Sequence, residues 1–570
     1  MQNSRFLLAI VLAIGVILVT NLLFPPVRPT PPAAPPADTS AVRADTPAPG
    51  GEPAAPPEPT PAPVDPDPVA VVPAVEAEAA TDTIIVRSPL YRYGLTTSGS
   101  IVRAELSRFE SLTGVESDAP RPDVNLAPEG LPLVRHALQL ADEPLELSLL
   151  ELRADAADEV VLDSASEPRT IELVHAASDT APIIRLRYTF DPRNYLIHVS
   201  GEVGGALERP LLLIRLGPRL ATHEADTMED RRAAAYVVNS RRDGINSVRF
   251  ESVETQRIEE GPLYWAALRT KYFLVAAISP CEEGFDCFGG AIARPAAGFG
   301  AELTATMPIG ADGRFAYDLY VGPQDPDRLA AIGRELQDVN PYGWRVFRPI
   351  LTPLGHLITW AVVALHDALR IGYGWVLILF GILIQLILWP LNTRAMRSQL
   401  KNMELQPVIQ EIQRKYKNDP ERLQKEMVRL YREEGFNPLG GCLPMLIPFP
   451  VLITLFFVFQ NTIEFRGADF LWLPDLSRPD PLYLLPVLLG LSMFGTQWLS
   501  ARSMPQTSPQ MKIMMWLMPG MIMIFFFNLA SGLNLYYASS NLAALPRQVL
   551  MIRERKRHQQ RPRPAASAAR

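Results

Sequence analysis

Long apolar segments constrain this 570-residue chain most, because about 20 consecutive apolar residues cross a lipid bilayer as a helix. Residues 6–24 carry no charge and follow the single basic residue Arg5. Five further apolar stretches lie in the second half of the chain, at residues 372–391, 439–460, 482–501, 513–530 and 532–552. The pattern predicts a polytopic α-helical membrane protein with six spans.

The first apolar stretch and the segment after it predict an anchor on a tether. A cleaved signal peptide is the alternative for residues 6–24, but its apolar core would be shorter and would end in small residues. We therefore predict an uncleaved anchor. Residues 25–73 hold 18 prolines and cannot form a packed core, so we predict an extended linker. A ligand for a proline-recognising domain is the other interpretation of this segment.

Alternating short runs between residues 81 and 340 predict an antiparallel β-sandwich. Phe315, Tyr317, Leu319 and Val321 alternate with more polar residues, which is the period of a half-buried strand. Similar runs occur at residues 83–87, 184–190, 195–200, 247–254 and 272–278. No strong helical period separates these runs.

Cysteines and histidines in this region give no catalytic or metal-binding pattern. Cys281 and Cys287 are close enough in sequence to form a disulfide in an oxidising compartment, and the sequence leaves that open. The four histidines have no spacing that builds a site, and we interpret them as structural: His136, His175, His198 and His223. We expect no metal, no cofactor and no enzymatic activity.

Basic residues cluster in the parts of the chain that we predict to be cytoplasmic. Residues 392–438 carry ten basic and seven acidic residues, and the tail from Arg547 carries eight basic and one acidic. Residues 25–391 instead carry 31 basic and 49 acidic residues. Since basic loops remain in the cytoplasm, both termini are predicted inside and the β domain outside.

Residues 341–371 predict an amphipathic helix at the outer membrane interface rather than a seventh span. This segment is apolar on one side but contains His356, His366 and Asp367, with Trp344 and Trp360 suited to the level of the lipid headgroups. If it crossed the membrane, the basic segments would lie outside, against the charge rule.

The basic segment 392–438 predicts a cytoplasmic helical hairpin. Leu405, Ile409, Ile412 and Tyr416 recur at helical spacing, and a second helix follows the turn at Asn418, Asp419 and Pro420. Its cations form either a solvated face or a docking surface for anionic lipid or for an RNA-bearing partner such as a ribosome. The candidates are Arg394, Arg397, Lys401, Arg414 and Lys415.

Four motifs in the second half of the chain resemble those of the YidC membrane protein insertase family. They are Glu404-Leu-Gln-Pro-Val-Ile-Gln410, Asn437-Pro-Leu-Gly-Gly-Cys-Leu-Pro-Met-Leu-Ile-Pro-Phe-Pro450, Phe470-Leu-Trp-Leu-Pro-Asp-Leu-Ser477 and Ser531-Gly-Leu-Asn-Leu-Tyr-Tyr-Ala-Ser-Ser-Asn-Leu542. Residues 97–106 are similar to the periplasmic domain of the Gram-negative type. The resemblance divides the chain into an anchor 1–24, a linker 25–80, a periplasmic β-sandwich 81–340, an interfacial helix 341–371, a transmembrane core 372–552 containing the hairpin, and a basic tail 553–570.

The resemblance implies an insertase and chaperone of the bacterial inner membrane. Its five core spans would enclose a hydrophilic groove that is open to the cytoplasm and to lipid and receives the polar part of a nascent membrane protein without nucleotide hydrolysis. The implied partners are nascent membrane proteins, membrane lipids, the Sec translocon, and the ribosome or signal-recognition machinery. DNA is not among them.

Polar residues in the predicted spans are the candidates for lining such a groove. They are Gln385, Thr454, Gln497, Asn534, Tyr536, Tyr537 and Asn541. Hydrogen bonding between helices is the alternative explanation for each of them. In the family an arginine occupies the position that matches Gln385, so this chain departs from the pattern, and we expect hydration to matter more than charge pairing there.

Two other functions fit six spans and an exported domain. A small-solute transporter with a periplasmic sensing domain is one, although such proteins commonly show internal repeats, which we do not find here. A sugar-processing enzyme on a membrane anchor is the other, and it would rest on fold analogy alone.

Overall fold

The computed structural model describes residues 82–113, 120–140, 144–177, 182–205, 210–281, 287–341, 343, 347–417, 419–433, 448–501, 519–520 and 522–560. The predicted anchor, the proline-rich linker, residues 513–518 and 521 of the predicted span 513–530 and the last ten residues of the basic tail lie outside these ranges. Helical structure within residues 439–460 is described only from Pro448 onward.

The first half of the described chain consists of 19 strands. Their bounds are β1 Thr83–Arg87, β2 Tyr91–Thr96, β3 Ile101–Glu110, β4 Asp123–Asn125, β5 Val134–Gln139, β6 Pro144–Glu146, β7 Arg153–Ala154, β8 Glu159–Val161, β9 Arg169–His175, β10 Ile184–Phe190, β11 Leu196–Val203, β12 Leu211–Leu216, β13 Ala235–Ser240, β14 Gly244–Arg249, β15 Arg257–Arg269, β16 Phe273–Ile278, β17 Phe288–Pro295, β18 Ala301–Pro308 and β19 Arg314–Pro323. Nearly all pairings are antiparallel; β1 with β8 is parallel.

Strand β15 connects two series of strands that share one hydrophobic core. Its first half pairs with β17, and its second half pairs with β13 and β16, with a register shift between Glu260 and Leu263. From β17 the pairing continues through β18, β12 and β5 to β3, β2 and β1. From β16 it continues through β19, β11, β10 and β9 to β7. Buried residues of both series form a single cluster.

Alternating side chains lie where the period-two pattern predicts. In β10 the buried residues are Ile184, Leu186, Tyr188 and Phe190. The predicted strand 247–254 is partly wrong, because β14 ends at Arg249 and a turn of 3-10 helix follows at Phe250–Ser252. The structure pairs Cys281 with Cys287 in a disulfide, with their Cα atoms 4.5 Å apart.

In the described part of the β domain, two short α-helices interrupt the strands, and sequence analysis did not predict them. They are α1, Thr227–Ala233, and α2, Pro326–Ile332. Asp226 and Asp325 precede them, and each carboxylate accepts two amide hydrogen bonds of the first helical turn. A seven-residue helix holds too few positions for a helical period to stand out in the sequence.

Six longer helices follow the β domain within the described ranges. They are α3 Arg348–Leu369, α4 Tyr373–Lys415, α5 Pro420–Glu433, α6 Pro448–Asn461, α7 Leu484–Ala501 and α8 Ser531–Gln560. Residues 522–526 are also helical. The first arm of the predicted hairpin is not a separate element, since α4 runs for 43 residues from the predicted span through residue 415. Likewise α8 continues eight residues beyond the predicted end of the last span.

Two described helices are long and apolar enough to cross a membrane, α3 and the Tyr373–Thr393 part of α4. Shorter apolar helices lie at Pro450–Asn461 and Leu484–Trp498. The count of six spans is therefore not confirmed and stays a prediction. The helix α3 falls in the segment that sequence analysis placed at the interface. Its buried residues Leu351, Ile358 and Val362 share one face, while Leu357 and Trp360 are exposed.

The loop between α6 and α7, residues 462–483, closes one end of the helical core. Ser531 N and Gly532 N, at the start of α8, donate to the carbonyl oxygens of Arg478 and Leu476 at 2.6 and 2.9 Å. Asp480 is fully buried, and its carboxylate accepts bonds from Trp472 Nε1, Leu482 N and Leu485 N at 3.1, 3.0 and 2.7 Å. We call this segment the α6–α7 loop.

Candidate functional site

The candidate site begins at a polar contact between α4 and α8. Gln385 Nε2 donates to Ser540 Oγ at 2.9 Å. One turn before Gln385 the two helices approach closely at Gly381, where a Cβ atom would lie 2.6 Å from Ser539 Oγ and 3.2 Å from the carbonyl oxygen of Tyr536. The small residue thus allows the helix approach that brings the amide within reach of the hydroxyl.

A second polar contact joins α8 to α7. Asn541 Nδ2 donates to Ser492 Oγ at 3.3 Å. Asn541 follows Ser540 directly, so two adjacent residues of α8 face polar groups on two different helices. We call Gln385, Ser540, Asn541 and Ser492 the polar track.

The polar track lies well inside the apolar helices. Tyr373 packs edge-on against Phe465 of the α6–α7 loop, so α4 and α8 both begin at this loop. Gln385 lies twelve residues after Tyr373, and Ser540 nine residues after Ser531, which places the contact about 13 to 18 Å from the loop end of the helices. That distance is about half the thickness of a hydrocarbon layer of about 30 Å.

Three predicted groove residues are buried and take part in helix packing. Thr454 Oγ1 donates to the carbonyl oxygen of Pro450 in its own helix at 2.7 Å. Asn534 Nδ2 donates to the carbonyl oxygens of Phe526 and Leu529 at 3.1 and 3.4 Å. The ring of Tyr536 packs against Phe380, Phe459 and Tyr537.

The two remaining predicted groove residues are half-buried. Tyr537 packs edge-on against Phe526, and Gln497 lies on α7 five residues after Ser492. Of the seven predicted residues, the structure places Gln385 and Asn541 in the polar track. Ser492 belongs to the track but was not predicted, since one serine in a leucine-rich helix carries no signal of its own.

Arg547 is a second residue that sequence analysis missed, because it was counted with the basic tail. It lies within α8 and is half-buried. In the part of the chain that the structure describes, its buried Nε and Nη1 atoms have no hydrogen-bond partner. Arg547 follows Ser540 by seven residues, which is two helical turns or about 10.5 Å on nearly the same face. The seven-residue spacing from Ser540 is the sequence signal that could have identified Arg547.

The predicted basic surface of the hairpin is described only in part. Arg394, Arg397 and Lys401 lie on α4, and the positions of their side chains fall outside the described set. Arg414 and Lys415 are exposed at the end of the same helix, and Lys415 Nζ lies 5.5 Å from the centre of the Tyr416 ring. Asp419 Oδ1 accepts a bond from Arg422 N at 3.1 Å and so caps α5.

His136 of the β domain is hydrogen-bonded within the core of that domain. His136 is buried, and its Nδ1 donates to the carbonyl oxygen of Gly99 at 3.1 Å. Burial lowers the pKa of His136 to about 4, against the opposing effect of that carbonyl, so the ring is neutral at physiological pH. Among the described residues no group of three or more histidine, cysteine, aspartate or glutamate side chains is arranged to hold a metal ion.

Comparison with known families matches both parts of this architecture. Residues 364–559 match the family described as 60Kd inner membrane protein, and residues 84–356 match the YidC periplasmic domain. The chain is therefore an inner-membrane protein that carries a periplasmic β-sandwich domain on a helical core. It belongs to the YidC family.

Relatives with assigned names support the same family. The membrane protein insertase YidC of Chlorobaculum parvum is 37% identical over 311 residues, which are 51% of this chain and 52% of the relative. The membrane protein insertase YidC of Chlorobaculum tepidum is 31% identical over 401 residues, which are 65% of this chain and 66% of the relative. The matched region thus spans between half and two thirds of the length of these relatives.

Solved structures of the family are also similar to this chain. A crystal structure of an active YidC insertase with its first transmembrane domain resolved covers 83% of this chain and 93% of its own, with 18% identity and a TM-score of 0.32. The structure of YidC from Thermotoga maritima covers 81% and 98%, with 16% identity and a TM-score of 0.30.

Proposed function

We propose that this chain is a membrane protein insertase and chaperone, which accepts the polar part of a nascent membrane protein at the polar track and releases its apolar segment into lipid. Relatives named membrane protein insertase support the activity. The observation that carries the site is the pair of hydrogen bonds, Gln385 to Ser540 and Asn541 to Ser492, which lie between apolar helices.

Energetics explain why a polar track favours insertion. Moving a charged side chain to the bilayer centre costs at least roughly 2.5 to 3.5 kcal/mol. Hydroxyl and amide groups at this depth attract water and can exchange their bonds to one another for bonds to a passing segment, which lowers that barrier. Entry of the apolar segment into lipid then drives the transfer, and no nucleotide is hydrolysed.

The proposed arrangement in the membrane follows the charge distribution. Six spans, with both termini and the hairpin in the cytoplasm, place the polar track between the α6–α7 loop on the periplasmic side and the basic ends of α4 and α8 on the cytoplasmic side. Exposed Arg414 and Lys415 are then available to anionic lipid, to a ribosome or to the signal-recognition machinery. The Sec translocon is the partner proposed for larger substrates.

Replacing Gln385 with leucine tests the polar track. The full chain is reconstituted in vesicles of phosphatidylethanolamine and phosphatidylglycerol, and insertion of a single-span protein is measured by protease protection of its exported tail. Since leucine removes the hydrogen bond to Ser540 and its hydration, insertion of a substrate with an acidic tail is expected to fall by roughly tenfold. A substrate with a neutral tail should lose much less.

Leu386→Ala is the matched control, because Leu386 is the next residue on α4 and is exposed. The Leu386→Ala variant should insert the acidic-tail and the neutral-tail substrate as efficiently as the unaltered chain does. Equal losses for acidic and neutral tails in Gln385→Leu would contradict the proposed role of the polar track. Absence of insertion by vesicles that contain the unaltered chain would contradict the proposed function itself.

Arg547→Gln tests whether the half-buried cation on α8 attracts acidic tails. We expect insertion of the acidic-tail substrate to fall by roughly fivefold, which corresponds to the ~1 kcal/mol of a partly exposed charge pair. The loss should shrink at high salt, since screening weakens such attraction. Arg553→Gln is the control, because Arg553 lies on the same helix but is exposed. A salt-independent loss would exclude attraction by charge.

A further inference from the structure

A short turn in the α6–α7 loop contributes to two hydrophobic cores at once. In the 3-10 turn Ile463–Phe465, Ile463 is buried within the core of the periplasmic domain. Phe465 is buried in the helical core, where its ring packs against Tyr373 and Phe459 with centroids 5.5 and 5.0 Å away. Two residues of one turn therefore bind the β-sandwich and the helices together.

Arg466 follows this turn and enters the periplasmic domain. Its Nε donates to Glu224 Oε1 at 2.8 Å, and its Nη2 donates to the carbonyl oxygens of Glu110 and His223 at 2.9 and 3.4 Å. Its guanidinium carbon lies 5.3 Å from the centre of the Phe273 ring. The Arg466 side chain is only 4% exposed and that of Glu224 10%. One arginine of the helical core thus contacts three separate segments of the β domain.

The charges around Glu224 make this contact dependent on Arg466. Besides Arg466, Glu224 faces Asp230 and Lys271. Lys271 Nζ is paired with Glu229 at 3.1 Å, while Lys271 N donates to Asp230 Oδ1 at 3.0 Å. Burial raises the pKa of Glu224 to about 6 even though Arg466 lowers it. A buried carboxylate that loses the guanidinium paired with it is strongly unfavourable.

We propose that the ion pair between Arg466 and Glu224 fastens the periplasmic domain to the helical core in one orientation, so that the domain and the α6–α7 loop move as one body. Motion of one domain relative to another is the default expectation where no large hydrophobic interface joins them. Arg466 is in this sense a positioning residue, and the inference is independent of the proposed insertase activity.

Distance measurements between spin labels test the proposal in the full chain. Labels are attached at Glu167→Cys in the β domain and Asp367→Cys at the end of α3, both exposed positions, in a Cys442→Ser background with Cys281 and Cys287 paired. The labelled chain with Arg466 and Glu224 unchanged should give one narrow distance distribution. Arg466→Met at pH 8 should broaden the distribution roughly twofold or more, because the ion pair and the other hydrogen bonds from Arg466 to the β domain are lost.

The double variant Arg466→Met with Glu224→Gln decides the cause. It removes the lone buried charge together with the ion pair, so its distribution should stay broader than that of the unaltered chain if the ion pair itself fastens the domain. Arg478→Met is the matched control, because Arg478 lies in the same loop and accepts the hydrogen bond from Ser531 N with its backbone oxygen. This variant should leave the distance distribution narrow. An unchanged distribution in Arg466→Met overturns the proposal. A double variant as narrow as the unaltered chain overturns it too, because the lone charge and not the missing ion pair would then account for the broadening.

Discussion

Gly381→Leu is expected to reduce insertion to the level of empty vesicles. A Cβ atom added at position 381 would lie 3.2 Å from the backbone oxygen of Tyr536 and 3.4 Å from the amide nitrogen of Ser540. The larger side chain of leucine must therefore push α8 away from α4. Overpacking of this kind costs about 1 to 3 kcal/mol or more. Separation of the helices also breaks the Gln385–Ser540 hydrogen bond. The reconstituted insertion assay measures the loss for acidic and neutral tails alike.

Gly495→Leu is the control for this substitution. Gly495 lies within α7, and a Cβ atom there would meet no atom within 4 Å. The same change of residue type should therefore preserve insertion. If Gly381→Leu inserted substrates at the normal rate, close packing of α4 on α8 would not be required for activity.

Asp480→Ala is expected to destabilise the helical core by roughly 3 kcal/mol. The carboxylate is fully buried and accepts three hydrogen bonds, among them that of Leu485 N in the first turn of α7. Its removal leaves buried donors without partners, at about 1 to 3 kcal/mol each. Thermal unfolding of the purified chain in detergent should show a clear decrease in Tm.

The same substitution at Asp469 is the comparison for Asp480. Asp469 lies in the same α6–α7 loop but is exposed, so Asp469→Ala should leave Tm within the usual range of surface changes, about 0.5 kcal/mol. Equal Tm values for the two variants would show that the Asp480 hydrogen bonds do not stabilise the loop.

Local patterns in the sequence predicted the strands well, because alternation reports burial on one face of a strand and needs no information from distant residues. The runs at residues 83–87 and 184–190 coincide with β1 and β10. The connection of two strand series through β15 was not predictable in this way, since it depends on which strand pairs with each half of β15.

Charge patterns were less reliable for the boundaries of helices. Sequence analysis assigned residues up to 391 to a span and residues from 392 to the hairpin, but lysine and arginine are good helix formers, and α4 continues through that boundary. Arg547 was assigned to the tail for the same reason, although it lies within α8. A change from apolar to basic residues marks a change of surroundings and not the end of a helix.

Contacts between distant residues account for what the sequence could not predict about the candidate site. Gln385 and Ser540 are 155 positions apart, and Arg466 and Glu224 are 242 apart. Gln385 and Asn541 were selected as polar residues in apolar segments. Their partners Ser540 and Ser492 could be assigned only from the packing of α4, α8 and α7.

The unbroken helix α4 has a mechanical consequence. Its 43 residues form a rod about 64 Å long that begins at the α6–α7 loop and ends beside the exposed cations Arg414 and Lys415. A tilt of about 10° around the Tyr373 end would displace the far end by about 11 Å but Gln385 by only about 3 Å. A partner bound near Arg414 and Lys415 that moved this end of α4 would thus change the distance between Gln385 and α8 by a much smaller amount.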